Sequence, residues 1–137
     1  MVITETILFT SILNSTDEYV YLNSTVFPFM SENKFKQQER ILPVEFNYPV
    51  TYNINCGIIF PPAYSVEEKP ENINLSACEN GVKYTYISQT SYNNLQIKFS
   101  YSVDRLIFTV QEYKDLSAFY GMLTQMSDNQ IVIKKNQ

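Results

Sequence analysis

The side chains of this sequence that could take part in chemistry are two cysteines, a few adjacent acidic pairs and eleven tyrosines. The 137 residues contain no histidine. Without an imidazole there is no Ser-His-Asp or Cys-His arrangement to activate a nucleophile, no histidine general base and no His-containing zinc site. Two cysteines alone also fall short of the four Cys or His ligands of a closed zinc site. We therefore expect no catalytic residue, no metal and no cofactor in this chain.

The two cysteines admit two interpretations. Cys56 alternates with apolar residues on one face of a predicted strand, and Cys78 ends another predicted strand. They could form a disulfide bond if the protein is exported and the two strands are neighbours, or they could be buried thiols that act as small apolar side chains. The sequence does not fix which strands are adjacent, so both interpretations stay open. A nucleophilic cysteine is disfavoured, because no histidine is available to lower the pKa of the thiol.

Two adjacent acidic pairs, Asp17-Glu18 and Glu67-Glu68, have the residue types that glycoside hydrolysis uses. Adjacent residues on a strand point to opposite faces of the sheet, and acidic residues in loops are usually solvated. We therefore interpret both pairs as surface residues.

Tyr48, Tyr64 and Tyr92 fall in predicted turns or connecting segments. An exposed ring at such a position could stack on a sugar or anchor a protein partner. Most of the other tyrosines alternate along apolar strand faces, where tyrosine is a good β-former and core residue. The sequence has no tryptophan, which weakens the case for a sugar platform. These three tyrosines are the candidate surface contacts.

The composition indicates one domain over residues 1–137. Hydrophobic residues make up 45% of the chain and aromatic residues 15%, which is enough for one core at this length. The net charge is −4 and no basic cluster stands out, so nucleic-acid binding is disfavoured. The opening MVITETILFTSIL lacks the basic region and the cleavage site of a signal peptide, and no apolar run reaches membrane-spanning length. We infer either a cytoplasmic protein or a piece of a longer one.

The elements that would position these residues are mostly short strands. A period of two is clearest over Val50–Phe60 and Leu95–Val103. Glu79-Asn80-Gly81 predicts a tight hairpin turn, and the Pro-bounded stretch 61–70 is predicted to be a charged connector. Further strands are predicted for Val2–Leu13, Tyr19–Phe27, Arg40–Phe46, Ile73–Cys78, Val82–Tyr86 and about 131–135.

Only the C-terminal part changes to a helical period. Apolar residues at steps of three and four predict a helix over about 110–126: Tyr113, Leu116, Tyr120 and Leu123. Thr109 and Glu112 have the spacing of a capping box. Gly121 inside this helix should cost about 1 kcal/mol relative to alanine. We hypothesise that it lets the helix approach the sheet closely, the alternative being a glycine that is merely tolerated.

Seven to nine short strands precede one helix, and no crossover helices lie between them. This order favours a mainly β fold over a parallel α/β sheet. The predicted architecture is an antiparallel β-sandwich, immunoglobulin-like or related, with one C-terminal α-helix followed by a short final strand.

Three segments, in order, resemble the motifs of one family. Asn33–Lys36 followed by Arg40–Phe46 resembles its "N-x-F-K … R-x-x-P-V-x-F" stretch, and Phe60–Pro70 is similar to its "l-P-x-x-Y-x-v-e-x-l-P" segment, with Lys69 where an apolar residue is usual. Residues 112–135 resemble its terminal "e-Y-x-x-L-x-x-F-Y … I-V-L-K-K". The chain is thus similar to the C-terminal all-β domain of unknown function in bacterial multidomain transglutaminase-like proteins, which are described as cysteine proteases or related enzymes.

The resemblance implies a non-catalytic accessory domain. In the full proteins it follows an N-terminal β-rich domain and a Cys-His-Asp core, and it would pack on that core or position it. The expected partner is therefore the upstream catalytic core of the same polypeptide. The export signals of such proteins imply a periplasmic or cell-envelope location. The alternative is a binding module that recognises a glycan or a protein through exposed tyrosines or an open sheet edge.

Overall fold

The computed structural model describes residues 14–23 and 32–137. Within these residues the chain forms one helix and ten strands, of which seven have five or more residues. None of the described helical structure is long and apolar enough to cross a membrane. The elements are β1 (Asn14–Ser15), β2 (Tyr19–Asn23), β3 (Val44–Glu45), β4 (Val50–Ile59), β5 (Tyr64–Glu68), β6 (Ile73–Ala77), β7 (Val82–Ser91), β8 (Asn94–Val103), β9 (Ile107–Phe108), α1 (Tyr113–Ser127) and β10 (Gln130–Lys135).

The strands form two four-stranded sheets and one two-stranded ribbon, and every pairing is antiparallel. The strand order is β4-β8-β7-β6 in the first sheet, named here the β8 sheet, and β1-β2-β10-β5 in the second, the β10 sheet. Strands β3 and β9 make the ribbon. This arrangement confirms the predicted mainly β fold, with a single helix followed by a final strand.

The β8 sheet has one apolar and one polar face, because its side chains alternate along each strand. Val103 and Leu95 are almost fully buried on the apolar face of β8, whereas Gln96 and Lys98 between them are exposed. The same face continues on β7 with buried Val82, and on β4 it carries half-buried side chains. One face must therefore be covered by other elements of the chain.

Helix α1 supplies much of that cover. Its five buried side chains recur at helical spacing: Tyr113, Leu116, Phe119, Tyr120 and Leu123. The hydroxyl groups of Tyr120 and Tyr101 lie 2.6 Å apart and form a buried hydrogen bond between α1 and β8. Burial raises the pKa of both phenols, so each keeps its proton near neutral pH and one hydroxyl donates to the other.

The segment before β3, residues 32–43, has neither helix nor strand but is bound to α1. The Asn33 side chain donates to the carbonyl oxygen of Ser117, and the Ser117 hydroxyl donates to the carbonyl oxygen of Phe35. The Phe35 ring lies 4.8 Å, between centroids, from that of Tyr120. The asparagine and the phenylalanine of the motif at 33–36 are thus structural, since they fix this segment against the helix.

The turn that precedes α1 contains the predicted capping box. A Glu112 carboxylate oxygen accepts from the backbone N–H of Thr109 at 2.8 Å, and the backbone N–H of Glu112 donates to the Thr109 hydroxyl at 3.3 Å. These bonds hold residues 110–112 in a turn, so α1 begins at Tyr113 rather than near residue 110. The Arg105 guanidinium pairs with the same carboxylate and donates to the carbonyl oxygen of Cys78.

One predicted connector is corrected, and two predicted strands lie wholly or partly outside the described residues. The Pro-bounded connector contains β5, which pairs with β10 more than sixty residues further along the chain, a partner that local pattern does not reveal. The predicted strand Val2–Leu13 lies outside the described residues. Of the predicted Tyr19–Phe27, the structure describes β2 (Tyr19–Asn23).

The hairpin predicted at Glu79-Asn80-Gly81 is confirmed, since it joins β6 to β7, but its turn has four residues, 78–81, rather than the tight Asn-Gly form. Cys78, Glu79 and Asn80 have φ of 54°, 55° and 64°, whereas Gly81 is not left-handed. A glycine is needed at position 81 for steric reasons, because an added Cβ would lie 2.7 Å from the Phe108 ring and 2.9 Å from the carbonyl oxygen of Cys78.

The hypothesis that Gly121 permits a close approach of helix and sheet is wrong. An added Cβ there would meet the Asn33 side-chain nitrogen at 3.6 Å, an ordinary van der Waals contact. The glycine is tolerated at a position that has room for a methyl group.

Two glycine-to-alanine substitutions should therefore have opposite effects. Gly121→Ala is expected to raise the free energy of unfolding by about 0.5–1 kcal/mol through helix propensity. Gly81→Ala is expected to lower it by about 1–3 kcal/mol through overpacking. Urea unfolding of both variants measures this, and destabilisation by Gly121→Ala would restore the close-approach hypothesis.

Glu112 should contribute a pH-dependent part of the stability. The Arg105 guanidinium, helped by the backbone N–H of Thr109, lowers the pKa of Glu112 in the folded chain. The unfolded state then binds more protons, so this contribution is present above the ordinary glutamate pKa and is lost as pH falls through the folded value. Between about pH 5 and pH 3 the stability of Glu112→Gln should fall less steeply than that of the parent chain. The exposed Glu39→Gln is the control, and equal slopes for all three chains would contradict the prediction.

Candidate functional site

The three candidate tyrosines do not form one site. Tyr92 is 97% exposed in the loop between β7 and β8, and Tyr48 is exposed just before β4. Tyr64 begins β5 and packs half-buried against the core, so it is not in a connector as predicted. Tyr48 lies at the start of β4, whereas the last residue of that strand, Ile59, pairs with Asn94 beside the Tyr92 loop. The ten residues of β4 that separate the two tyrosines span roughly 33 Å. No small ligand can therefore contact both Tyr48 and Tyr92.

The structure decides between the two interpretations of the cysteines. Cys56 lies on β4 and Cys78 follows β6, and these strands are the opposite edges of the β8 sheet. Three strand spacings amount to roughly 14 Å, twice the reach of a disulfide bond. Both are free thiols, which confirms the interpretation as small apolar residues and excludes the disulfide.

Neither thiol is prepared for nucleophilic attack. Burial raises the pKa of Cys56. Burial and the negative charges of Glu112 and Asp115 raise the pKa of Cys78 to about 11, although the nearby Arg105 lowers it by a smaller amount. A thiol with such a pKa carries almost no thiolate near neutral pH.

The acidic pairs are solvent-exposed, as interpreted from the sequence. Glu67 and Glu68 lie at the end of β5, and Glu67 makes a 3.8 Å ion pair with Lys134. Asp17 and Glu18 lie in the turn between β1 and β2. Across residues 14–23 and 32–137, no group of three or more Cys, Asp or Glu side chains is placed to hold a metal ion.

A polar cluster that the sequence analysis did not identify lies on the apolar face of β7. Ser88 is 2% exposed, and both its hydroxyl and its carbonyl oxygen lie 3.0 Å from the ammonium of Lys69. The backbone N–H of Ser88 donates to the Asn72 side chain at 2.8 Å. Burial raises the pKa of the neighbouring Tyr86, and the Ser88 side chain partly offsets the rise.

This cluster satisfies a buried polar group rather than performing catalysis. A serine beside a lysine is used as nucleophile and base in some hydrolases. Here the Ser88 hydroxyl is buried in the core, where no substrate bond could reach it. Two separate features of the sequence could have pointed to this cluster. Lys69 stands where the resembled family has an apolar residue, and Ser88 interrupts the alternation of apolar residues along β7. Their pairing appears only in the folded chain.

Two surfaces remain as candidates for binding. The first, named the β6–α1 groove, is a hollow of about 260 Å³ between the edge strand β6 and the helix. It is lined by Leu75, Ser76, Ala77, Cys78, Asp115, Ala118, Phe119 and Met122.

The second surface, named the ribbon patch, comprises exposed apolar side chains beside β3 and β9: Ile41, Leu42, Tyr48, Leu106 and Ile107. The ribbon brings the two segments together, because Val44 pairs with Phe108 and the N–H of Phe46 donates to the carbonyl oxygen of Leu106 at 2.8 Å. Ile41 is 93% exposed and Leu42 70%. The ribbon and its two flanks thus carry several large apolar side chains in contact with solvent, a feature that an interaction surface would bury.

Comparisons with known proteins agree with this fold. A family model described as a domain of unknown function with a solved structure (DUF3858) matches residues 18–133. The crystal structure of a "putative protease" from Parabacteroides distasonis is similar with a TM-score of 0.67 at 12% sequence identity, over 88% of this chain and 24% of that one. The chain thus spans about a quarter of that protein. A search of the curated proteins found no match.

The Lys69 and Ser88 side chains should be energetically coupled. Lys69→Met alone leaves the buried oxygens of Ser88 without a donor, which should cost about 1–3 kcal/mol. In the Lys69→Met background, Ser88→Ala should cost less than it does in the parent chain, with a coupling energy of about 0.5–1.5 kcal/mol. A double-mutant cycle by urea unfolding measures it. Strict additivity would show that the contact carries no energy.

Proposed function

The chain belongs to the DUF3858 family, and from this premise we propose that it is a non-catalytic accessory domain that packs on the catalytic core of a larger polypeptide. The likeness to about a quarter of the P. distasonis protein supports a place within a longer chain. The resemblance to the C-terminal domain of transglutaminase-like proteins supports a Cys-His-Asp core as the upstream neighbour. The same resemblance supports a periplasmic or cell-envelope location.

The ribbon patch is the observation that carries this proposal. Complete burial of a large aliphatic side chain is worth roughly 1.5–3 kcal/mol relative to exposure. Burying Ile41, Leu42 and Ile107 against a neighbouring domain would therefore stabilise the pair of domains by several kcal/mol. The patch also includes two residues of the motif at 40–46, so the segment that carries the resemblance is the one with the exposed apolar side chains.

The chemistry of the described residues supports a non-catalytic role. The sequence has no histidine. The Ser88 hydroxyl is buried, and the raised pKa of both thiols keeps them protonated. Recognition of a glycan by Tyr48, Tyr64 and Tyr92 together has little geometric support, since the three do not share a surface. Binding of a protein partner at an open sheet edge has more geometric support, because β6 is an edge strand beside the β6–α1 groove.

The test compares substitutions in the longer polypeptide in which this chain follows a catalytic core. Ile41→Ser with Ile107→Ser should lower the thermal midpoint of the core transition and expose the interdomain segment to limited proteolysis. The control is Ile59→Ser, because Ile59 is 78% exposed and lies outside the ribbon patch. In the isolated chain Ile41→Ser and Ile59→Ser should unfold with nearly unchanged free energy, because both side chains are largely solvated. Ile107→Ser should lower it modestly, because Ile107 is 55% exposed and lies in β9.

Two outcomes would contradict the proposal. One is a core whose stability and turnover are the same with and without this domain. The other is an equal effect of Ile59→Ser and of the ribbon-patch substitutions, which would show general surface sensitivity rather than docking at the patch.

A further inference from the structure

Strand β6 is an edge of the β8 sheet. Within the described residues it pairs with β7 on one side, from Ile73↔Tyr86 to Ala77↔Val82, and its residues line a groove together with residues of α1. The outer edge of such a strand presents backbone N–H and C=O groups that another extended backbone can pair with. A groove bounded by an edge strand and a helix is suited to adding a strand.

The interior of the β6–α1 groove would accept apolar side chains. Leu75 and Ala77 line it from the strand, and Phe119 and Met122 from the helix, with Met122 44% exposed. The volume of about 260 Å³ lies below the roughly 300–1,000 Å³ of pockets that enclose a small-molecule ligand. An extended peptide needs a smaller volume than an enclosed ligand does, because only alternate side chains point into the groove while its backbone pairs with β6.

The helix side of the groove is negatively charged. Asp115 lines it, and the negative charges of Glu112 and Asp115 together raise the pKa of the groove residue Cys78. Arg105 opposes this with a smaller effect, and its guanidinium is already paired with Glu112. Lys114 lies one residue before Asp115 on α1 but does not line the groove. The uncompensated carboxylate in the groove is that of Asp115, and it favours a basic side chain.

We propose that the β6–α1 groove binds an extended peptide of another protein, which pairs with β6, inserts an apolar side chain beside Leu75 and Phe119, and places a lysine or arginine at Asp115. This inference goes beyond the proposed packing on a catalytic core and does not depend on it, because the ribbon patch is made by different residues. The groove would let the domain hold a second polypeptide while it is docked.

Charge argues against occupants from this chain itself. In a second copy, the edge strands of the two described four-stranded sheets are β1, β4, β5 and β6, and none of them contains a lysine or arginine. The two segments outside the described residues, 1–13 and 24–31, also contain no lysine or arginine. None of these segments offers the basic side chain that Asp115 favours, so charge complementarity points to a strand from another protein.

The test uses the full 137-residue chain, labelled with ¹⁵N, and the peptide Ac-Thr-Val-Arg-Val-Thr-Val-NH₂ as the probe. The expected result is a saturable titration in which amide shifts concentrate on β6, Asp115 and Met122. A matched peptide with glutamate in place of arginine should bind at least about threefold more weakly, as expected for one exposed ion pair.

Two substitutions on adjacent helix positions provide the matched control. Asp115→Asn should weaken binding of the arginine peptide about threefold and remove the preference over the glutamate peptide, whereas Lys114→Gln should leave both affinities nearly unchanged. Ala118→Arg, at an exposed helix position in the groove, adds bulk and a positive charge beside Asp115, so it should block the arginine peptide while the circular dichroism spectrum stays that of the parent chain.

The proposal is overturned if the shifts do not saturate at millimolar peptide, if they map away from β6, or if the two peptides bind equally. It is also overturned if analytical ultracentrifugation shows a dimer that Ala118→Arg dissolves, because a second copy would then be the occupant. Failure here would leave the ribbon-patch proposal standing, since that patch is tested with other variants and another readout.

Discussion

The buried contact between α1 and the apolar face of the β8 sheet is the constraint on which the rest of the structure depends. That face is too apolar to remain solvated, and the apolar stripe of the helix covers part of it. The bond between Tyr101 and Tyr120 fixes the position of the helix because neither hydroxyl has access to water in its place. Segment 32–43 and β10 then take their positions relative to the helix, one bound to it and the other following it directly.

The parts of this fold that sequence could predict are those fixed by local chemistry. Strict alternation identified β4 and β8, and the capping box at Thr109 and Glu112 formed as its spacing required. Strand β5 was missed because its partner β10 is distant in sequence. The turn at Cys78–Gly81 was assigned the wrong geometry, because the ring of Phe108 rather than the backbone of Gly81 determines why a glycine is there.

Candidate sites were harder to predict than strands, since a site depends on which segments become neighbours. The three tyrosines were identified by type, and the fold separates them. The ribbon patch combines residues from 41–48 with residues 106–107, and the β6–α1 groove combines 75–78 with 115–122. Each of these surfaces is assembled by one long-range contact, so neither has a signature in a single stretch of sequence. The pair of Lys69 and Ser88 shows the same limitation inside the core.

The two thiols lie too far apart to form a disulfide bond, and this has a consequence for how the domain is stabilised. No covalent link between Cys56 and Cys78 holds the β8 sheet together, so its stability owes nothing to an oxidant. With so little thiolate, Cys78 would exchange only slowly with glutathione or an oxidoreductase. Folding of the β8 sheet therefore requires no disulfide bond between these cysteines and no oxidase or isomerase to form one.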